Sequence, residues 1–232
     1  MDTYVLRAIL LLALIQPARG AENISDADRA YLLSHLAMTQ EFVLDATRGL
    51  TKEQWRFKPA PARWSIAQCI DHLGSTEEYI LRMVRERLLK ATSPIEPFPS
   101  LVGSRPPVSE TPERLSEVAD ALLIRAMTDR TSAIAVPPDQ RPPVEEVAPR
   151  DTFPDVQSAL DHFRRSRTAT IEYLRTTQDN LRGHFAYTRL DGYYPRFKFH
   201  DGYQWLLRMS AHTERHLIQV HEIKAGEAYP AR

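Results

Sequence analysis

The chain has a single cysteine, no net charge and no long hydrophobic run. With only Cys69 available, an intramolecular disulfide and a cysteine-rich zinc site are both excluded. The 30 basic and 30 acidic residues cancel, which argues against broad electrostatic binding to nucleic acid or to an acidic membrane surface. With 232 residues, of which 43% are hydrophobic, the composition is typical of a globular protein rather than a disordered or fibrous one.

Residues 1–20 have the pattern of an export signal. Arg7 precedes an apolar run over residues 8–15, which is shorter than the roughly 20 residues that a membrane-spanning helix needs. Small residues follow at the usual cleavage positions. We therefore predict a signal peptide at 1–20, a mature domain over 21–232, export to the periplasm or the medium, and no stable membrane anchor. The alternative is an uncleaved apolar first helix. Removing residues 1–20 changes the net charge only to −1.

Four segments have the apolar periodicity of amphipathic helices, which predicts an all-α fold. Each starts at Ser, Thr or Asp with Asp or Gln three positions later, a pattern typical of capped helix N-termini. Trp64 precedes the second start as a candidate hydrophobic staple, and Gly49 follows the first helix where a C-terminal glycine is common. The four predicted helices span residues 25–48, 65–90, 153–181 and 202–224.

The connection between the second and third predicted helices is rich in proline. Eleven of the 17 prolines fall within residues 93–150, and proline interrupts the interiors of helices and sheets. Thr111 followed by Pro112 still resembles a helix start, so we predict one extra helix over 111–131 inside a long connection. A small hairpin is predicted over 185–199, turning at Asp191–Gly192.

Two of the eight histidines are spaced like metal ligands on the fourth predicted helix. His212 and His216 are four residues apart, which places them on one helix face about 6 Å apart at Cβ. Apolar residues share that face, so the pair is predicted to point inward. Two imidazoles at this spacing can chelate a divalent ion. The motif alone is weak, position 213 is Thr rather than the glutamate of H-E-x-x-H, and a hydrogen-bonded interior pair is the alternative.

His72 supplies a third ligand if the second and fourth predicted helices are neighbours. Three histidines with one open position form a metal site that activates water or binds a substrate atom. Cys69 lies one turn before His72, but we interpret it as a small buried hydrophobe. His221 lies about 140° from His216 and 180° from His212 around the helix, so it should not join the site.

Two stretches of this sequence resemble the DinB-like (DinB/YfiT) superfamily. The segment WSIAQCIDHL at residues 64–73 is similar to that family's second-helix signature, and AHTERH at 211–216, followed by Gln219, is similar to its fourth-helix signature. The resemblance covers about residues 25–225, with the Pro-rich connection as the poorest match, and implies an up-down-down-up four-helix bundle. It also implies a divalent-metal site, often zinc or nickel, carried here onto three histidines: His72, His212 and His216.

The resemblance implies metal-dependent chemistry on a small-molecule substrate or ligand. Some members of the superfamily are metal-dependent thiol transferases or isomerases that use a low-molecular-weight thiol, and such thiols belong to the reducing cytosol. Because the predicted signal peptide directs the chain elsewhere, metal-assisted hydrolysis is favoured over thiol transfer. The rival hypotheses are a non-catalytic metal- or ligand-binding module and a bundle whose histidines only hydrogen-bond. Nothing supports DNA chemistry. A homodimer through exposed helix faces is compatible with the sequence, but no apolar strip demands one.

Two charged residues, Glu77 and Arg167, fall within apolar helix faces. A buried charge is costly in isolation, so each must be paired or functional. One hypothesis is an interhelical ion pair between them. The other is that Arg167 binds an anionic substrate group near the metal, with Glu77 as its partner or as a general base. Glu77 and, less well aimed, Glu214 are the acids that the sequence offers to a catalytic site.

His184 and His200 lie at the two ends of the aromatic segment between the third and fourth predicted helices. Because loops mostly run over the protein surface, both are predicted to be exposed loop histidines. The alternative is that they close over the mouth of the metal site.

Overall fold

The computed structural model describes residues 24–101, 112, 114–128, 144–188 and 198–231. This part of the chain is mostly helical, as predicted. Its helices are α1 (Asp26–Thr47), α2 (Lys52–Arg56), α3 (Ile66–Glu86), α4 (Glu117–Thr128), α5 (Val156–Thr176) and α6 (Gly202–Ala225), and its strands are β1 (Phe185–Tyr187) and β2 (Phe199–Asp201). The predicted signal peptide at 1–20 and the predicted turn at Asp191–Gly192 lie outside the described residues. None of the helices in the described ranges has an apolar stretch long enough to span a bilayer.

The four long helices contact one another in four pairs, and their buried apolar residues form two clusters. Helix α3 contacts both α5 and α6, and α1 contacts the same two helices. Most of the largest fully buried side chains come from these helices and from α2, and they include Trp55, Trp205, Tyr203, Phe163 and Leu36. The contact between α3 and α6 is the one that matters for function, because it places the second and fourth predicted helices side by side.

Capping residues set the start of the two helices that carry the candidate ligands. Ser65 Oγ accepts the Gln68 N–H at 3.2 Å, and Gln68 Oε1 accepts the Ser65 N–H at 3.1 Å. The same reciprocal box joins Asp201 and Gln204 at 2.8 and 2.9 Å. Both boxes were predicted from the sequence. Because they hold the first turns of α3 and α6, they also set the helical phase of every later side chain.

Helix α5 (Val156–Thr176) is shorter than the predicted span of 153–181. The predicted cap, Thr152, is not used, because Asp155 accepts the Ser158 N–H at 2.7 Å and starts the helix later. At the other end the backbone of Thr177 is extended, and its hydroxyl donates to Asp179 at 2.9 Å. Local hydrogen bonds by short polar side chains therefore decide both boundaries.

The extra helix predicted over 111–131 is present as α4 (Glu117–Thr128) and begins later than expected. Ser116 Oγ accepts the Ala119 N–H at 3.3 Å, which satisfies a first-turn donor. Two contacts of Asp120 hold α4 on the body of the protein: its carboxylate accepts from Gln204 at 2.7 Å and lies 3.0 Å from Arg182. Part of the Pro-rich connection is thus anchored to α6.

Strands β1 and β2 pair antiparallel, in agreement with the predicted hairpin, with Ala186 opposite His200. A second contact on β1 was not predicted. Ile95 donates to the Phe185 carbonyl at 3.2 Å and accepts from the Tyr187 N–H at 3.0 Å. The Pro-rich connection therefore starts along the open edge of this small sheet.

Candidate metal centre

The side chains of His72, His212 and His216 converge where α3 and α6 pack together. Nε2 of His212 lies 3.2 Å from Nε2 of His72 and 3.1 Å from Nε2 of His216. One ring nitrogen from each residue lies within 4.8 Å of the other two. The structure thus brings together all three histidines that the sequence singled out as ligands.

Hydrogen bonds determine which ring nitrogen carries the proton in two of these histidines. His72 Nδ1 lies 2.6 Å from the Val147 carbonyl oxygen, and His216 Nδ1 lies 3.0 Å from Gln219 Oε1. Because both oxygens only accept, both Nδ1 atoms must donate, which leaves a lone pair on each Nε2. His212 Nε2 can donate to one of these two nitrogens at most. The cluster therefore has more acceptors than protons.

A divalent cation would satisfy this surplus of lone pairs. Two nitrogens bound at about 2.0–2.1 Å are roughly 3.3 Å apart around a tetrahedral ion and roughly 2.9 Å apart at a right angle. The observed separations of 3.2 and 3.1 Å lie between these values. Imidazole nitrogen is a good donor to both zinc and nickel. In donor type and in these two separations, the residues therefore fit a divalent ion such as zinc or nickel.

The surroundings keep the three imidazoles neutral. Burial lowers the pKa of His72 to about 4, in agreement with its 6% exposure. Burial also lowers the pKa of His212 and His216 well below its ordinary value, and repulsion from neighbouring imidazoles and from Arg215 adds to the effect. Neutral imidazole is the form that binds metal ions, so the site is held ready for a cation.

Trp64 forms an aromatic wall beside the histidines. Its ring stacks on the ring of His216 with centroids 5.6 Å apart, and it meets the ring of His72 edge-on at 4.9 Å. From its position before Ser65, the sequence predicts Trp64 only as a packing residue at a helix start. The proximity of its ring to His72 follows from the Ser65 cap, which places Trp64 just before the first turn of α3.

Two further groups around the site were not recognised as such from the sequence. Gln219 follows His216 by three residues on the same helix face, so its spacing could have revealed the hydrogen bond between them. The Val147 carbonyl could not have been found, because a backbone oxygen carries no residue-specific signal. It belongs to a 3₁₀ turn at Glu145–Val147, near the end of the Pro-rich connection.

Two negative predictions about the site agree with the structure. His221 is exposed on α6, away from the other two histidines of that helix. Cys69 is fully buried, and burial raises the pKa of its thiol. The three-histidine group found in the described ranges does not include it.

The prediction that His200 is an exposed loop residue was wrong. His200 is fully buried, because its pairing with β1 turns the ring inward, where it contacts the Trp205 ring at 5.7 Å. His184 is half-buried, and its Nδ1 lies 3.1 Å from the Ala91 carbonyl oxygen. Strand pairing therefore places the ring of His200, and the contact with Ala91 places the ring of His184.

Glu77 and Arg167 form a bidentate ion pair between α3 and α5. Arg167 Nε donates to Glu77 Oε2 at 2.7 Å, and Nη2 donates to Oε1. The side chains are 0% exposed for Arg167 and 2% for Glu77. The interhelical ion pair, one of the two hypotheses, is therefore confirmed. The catalytic role of Glu77 and the substrate-binding role of Arg167 stay predictions, and each group would have to leave this pair to act on a ligand.

The ion pair is connected to the helix that carries two of the histidines. Arg167 Nη2 donates to the Thr213 hydroxyl at 3.0 Å, and Thr213 is the neighbour of His212. Arg167 also donates to a carbonyl and a hydroxyl of α1. A single buried guanidinium thus joins α1, α3, α5 and α6.

Comparison with known proteins places this architecture in a family. A model described as the DinB superfamily matches residues 35–220, which include all three histidines. The chain is also 25% identical over 178 residues to the uncharacterized protein YuaE of Bacillus subtilis (strain 168), across 76% of this chain and 87% of the relative. No solved structure matches the chain significantly. Since the family model spans most of the sequence and both histidine motifs, the chain belongs to the DinB superfamily.

Proposed function

We propose that this protein binds one divalent metal ion, zinc or nickel, through His72, His212 and His216. The convergence of three Nε2 atoms, two of which are left as lone-pair donors by their hydrogen bonds, carries the proposal. We further propose that the four long helices form the bundle implied by the family resemblance. In that bundle, residues 93–150 are an insertion whose last part orients His72 through Val147.

The proposed metal centre acts on a small molecule as a hydrolase or a transferase. With three protein ligands, a divalent ion keeps an open position at which it polarises a substrate or lowers the pKa of water. His212 and His216 are half-buried rather than sealed, which leaves a route from solvent to the site. The Trp64 ring offers a flat apolar surface beside His216 for the body of such a molecule.

One observation supports a second candidate function, a non-catalytic metal- or ligand-binding module. Glu77 is enclosed in the ion pair with Arg167. Glu214 lines a groove together with Phe42 and His221, on the side of α6 away from the three histidines. Of the two acids that the sequence offered for proton transfer, neither lies at the three-histidine cluster.

Metal analysis of the full-length protein tests the site. The protein should be purified without a histidine tag from metal-replete cells. We expect about one zinc or nickel ion per chain, because three converging neutral imidazoles form a high-affinity site. An occupancy below about 0.2 ion per chain would overturn the proposal, since a three-ligand site should retain its ion.

Turnover assays separate the enzyme from the binding module. The metal-loaded protein is incubated with p-nitrophenyl carboxylate and phosphate esters, and with a thiol acceptor plus a low-molecular-weight thiol. Turnover that is lost when the metal is chelated, and restored by one equivalent of metal, supports an enzymatic function. Full metal occupancy without turnover of any of these substrates favours the binding module.

We expect the metal to stay bound in mildly acidic solution. If the three imidazoles had the ordinary pKa of about 6.5, proton competition would weaken metal binding several hundred-fold between roughly pH 7 and pH 5.5. Burial lowers the pKa of His72 to about 4 and shifts the other two in the same direction. The affinity should therefore fall less than about five-fold over that interval. Chelator competition at the two pH values measures it, and a several-hundred-fold loss would contradict the expectation.

The same pKa shift predicts how acid affects the metal-free fold. Because the pKa of His72 is lower in the folded than in the unfolded chain, the unfolded chain binds protons first as the pH falls. The stability of the metal-free protein should therefore decrease from about pH 6.5 toward pH 4. Urea unfolding of the metal-free protein at several pH values in that interval measures whether its stability decreases as the pH falls.

We also propose that the chain is exported after cleavage behind residue 20. The support is the composition of residues 1–20, a basic residue and a short apolar run followed by small residues. N-terminal sequencing of protein recovered from the periplasm or the medium should start at Ala21. A chain that still carries Met1 would refute the proposal.

A further inference from the structure

Beyond the three histidines, buried polar groups continue along α6 toward its N-terminus. Arg208 lies one turn before His212, and Trp205 lies one turn before Arg208. The ring of His200, on β2, contacts the ring of Trp205. Phe98, from the Pro-rich connection, also packs against Trp205, with the two ring centroids 6.3 Å apart. The proposed metal site uses none of these groups.

His200 and Trp205 have hydrogen-bonding atoms without a partner among the described residues. Both side chains are 0% exposed. Both ring nitrogens of His200 and Nε1 of Trp205 lack a hydrogen bond. Because an unpaired buried polar atom is costly, such atoms are rare in folded proteins and often mark a bound water, ion or ligand. Three of them occur here on two rings in contact.

Arg208 brings a positive charge between this pair of rings and the histidine cluster. Its guanidinium carbon lies 4.9 Å from the centroid of the Trp205 ring. The positive charge of Arg208 lowers the pKa of both His200 and His212. Arg208 therefore lies where a ligand that extends from His212 toward Trp205 would pass.

A second arginine makes the same side of α6 basic. Arg215 follows Arg208 by seven residues, which places the two on one flank of the helix within about 20°. The charge of Arg215 acts on all three histidines. When a divalent ion is bound, positive charge surrounds His212, and an anionic ligand is the kind that such a field favours.

We propose that Arg208, His200 and Trp205 form an oxyanion-binding subsite of the metal centre, so that the small molecule it takes carries a carboxylate or a phosphate. The inference rests on the metal site proposed above. The oxyanion accepts hydrogen bonds from the Arg208 guanidinium, the Trp205 indole N–H and one ring N–H of neutral His200. The other end of the molecule reaches toward His212. Arg208 is in this role a specificity-determining residue.

Calorimetric titration of the full-length protein with inorganic phosphate, succinate and neutral succinamide tests the subsite. The zinc-loaded wild type should bind one of the two anions at one per chain, which also distinguishes phosphate from carboxylate, and should not bind succinamide. Arg208→Gln should weaken binding of that anion roughly 10- to 100-fold, because a charge-assisted contact is lost, and Arg208→Lys should restore part of it. Arg215→Gln is the matched control, which removes the same charge farther from His200, and should weaken binding less than about five-fold.

A variant of His200 separates ligand binding from folding. His200→Phe replaces an unpartnered polar ring with an apolar ring of similar size, so the melting temperature should stay the same or rise. Binding of the anion should weaken several-fold. An unchanged anion affinity would remove His200 from the subsite.

The outcomes that overturn the subsite differ from those that overturn the metal site. Absence of anion binding to the zinc-loaded wild type, or equal weakening by Arg208→Gln and Arg215→Gln, would refute the subsite while metal occupancy is unaffected. If the wild type holds no metal, the proposed function fails. Anion binding to the metal-free protein that depends on Arg208 and not on Arg215 would then still support the subsite.

Discussion

Replacing His212 with alanine should empty the metal site. His212 is central, since its Nε2 lies within 3.2 Å of the ligand nitrogens of both other histidines. Without it, two imidazoles on different helices remain. We expect the occupancy to fall from about one ion per chain to below about 0.2, and the affinity to fall at least about 100-fold. Metal analysis and chelator competition on the purified variant measure the two quantities.

His221→Ala is the matched control for this variant. His221 lies on the same helix, is exposed and points away from the cluster, so its removal should leave the metal occupancy unchanged. His212→Ala itself should melt at the temperature of the metal-free wild type, because it loses the stabilisation by the bound ion. A variant that keeps a full equivalent of metal would show that the ion is held elsewhere and would contradict the site.

Breaking the Glu77–Arg167 pair should lower the free energy of unfolding by about 3–5 kcal/mol, since removal of one partner leaves the other charge buried and uncompensated. Glu77→Gln leaves the Arg167 guanidinium buried without its counter-charge. Arg167→Met leaves the Glu77 carboxylate in the same situation. Both side chains are almost completely buried, so solvent screens neither. Urea denaturation at neutral pH, with metal content measured in parallel, gives the size of the effect.

A neighbouring exposed pair on the same helix provides the control. Arg82 lies 3.6 Å from Glu78, and both side chains are more than half exposed. Arg82→Met should therefore change the unfolding free energy by less than about 0.5 kcal/mol. The double variant Glu77→Met with Arg167→Met should recover much of the loss seen in either single variant, because no unpaired charge is left in the core.

The same variants decide between the two hypotheses for Arg167. Loss of stability with the metal retained supports a structural ion pair. A stably folded Arg167→Met protein that holds metal but binds the anions tested above much more weakly would support the substrate-binding role. Since Arg167 reaches Thr213 beside His212, some loss of metal affinity is compatible with either role and does not separate them.

Local interactions along the sequence were enough to predict the helices and the direction of several side chains. The caps at Ser65 and Asp201 act within the first turn, so they could be recognised from residues three positions apart. Helical periodicity then placed His212 and His216 on one face and His221 on another. These predictions agree with the structure because each depends on geometry that repeats every few residues.

Where the Pro-rich connection lies was decided by contacts distant in sequence. Several short polar residues in the connection could cap a helix, and the sequence did not show which of them does. The predicted start at 111 was too early, and α4 begins at Glu117. Nothing near residue 95 indicated that Ile95 pairs with β1, and nothing near residue 147 indicated a hydrogen bond to His72. Backbone groups are chemically identical in every residue, so their partners depend on the packed fold.

The candidate functional residues could be recognised in the sequence, but which of them come together in the fold could not. Histidine spacing on one helix predicted two of the three candidate ligands, but His72 joins them only because α3 packs beside α6. Likewise, the sequence showed that Glu77 and Arg167 needed partners, and the contact between α3 and α5 made them partners of each other. Burial of His200 follows from strand pairing in the same way. Helix phase is a local property of the chain, whereas the choice of neighbouring helices and strands depends on how the whole core is buried.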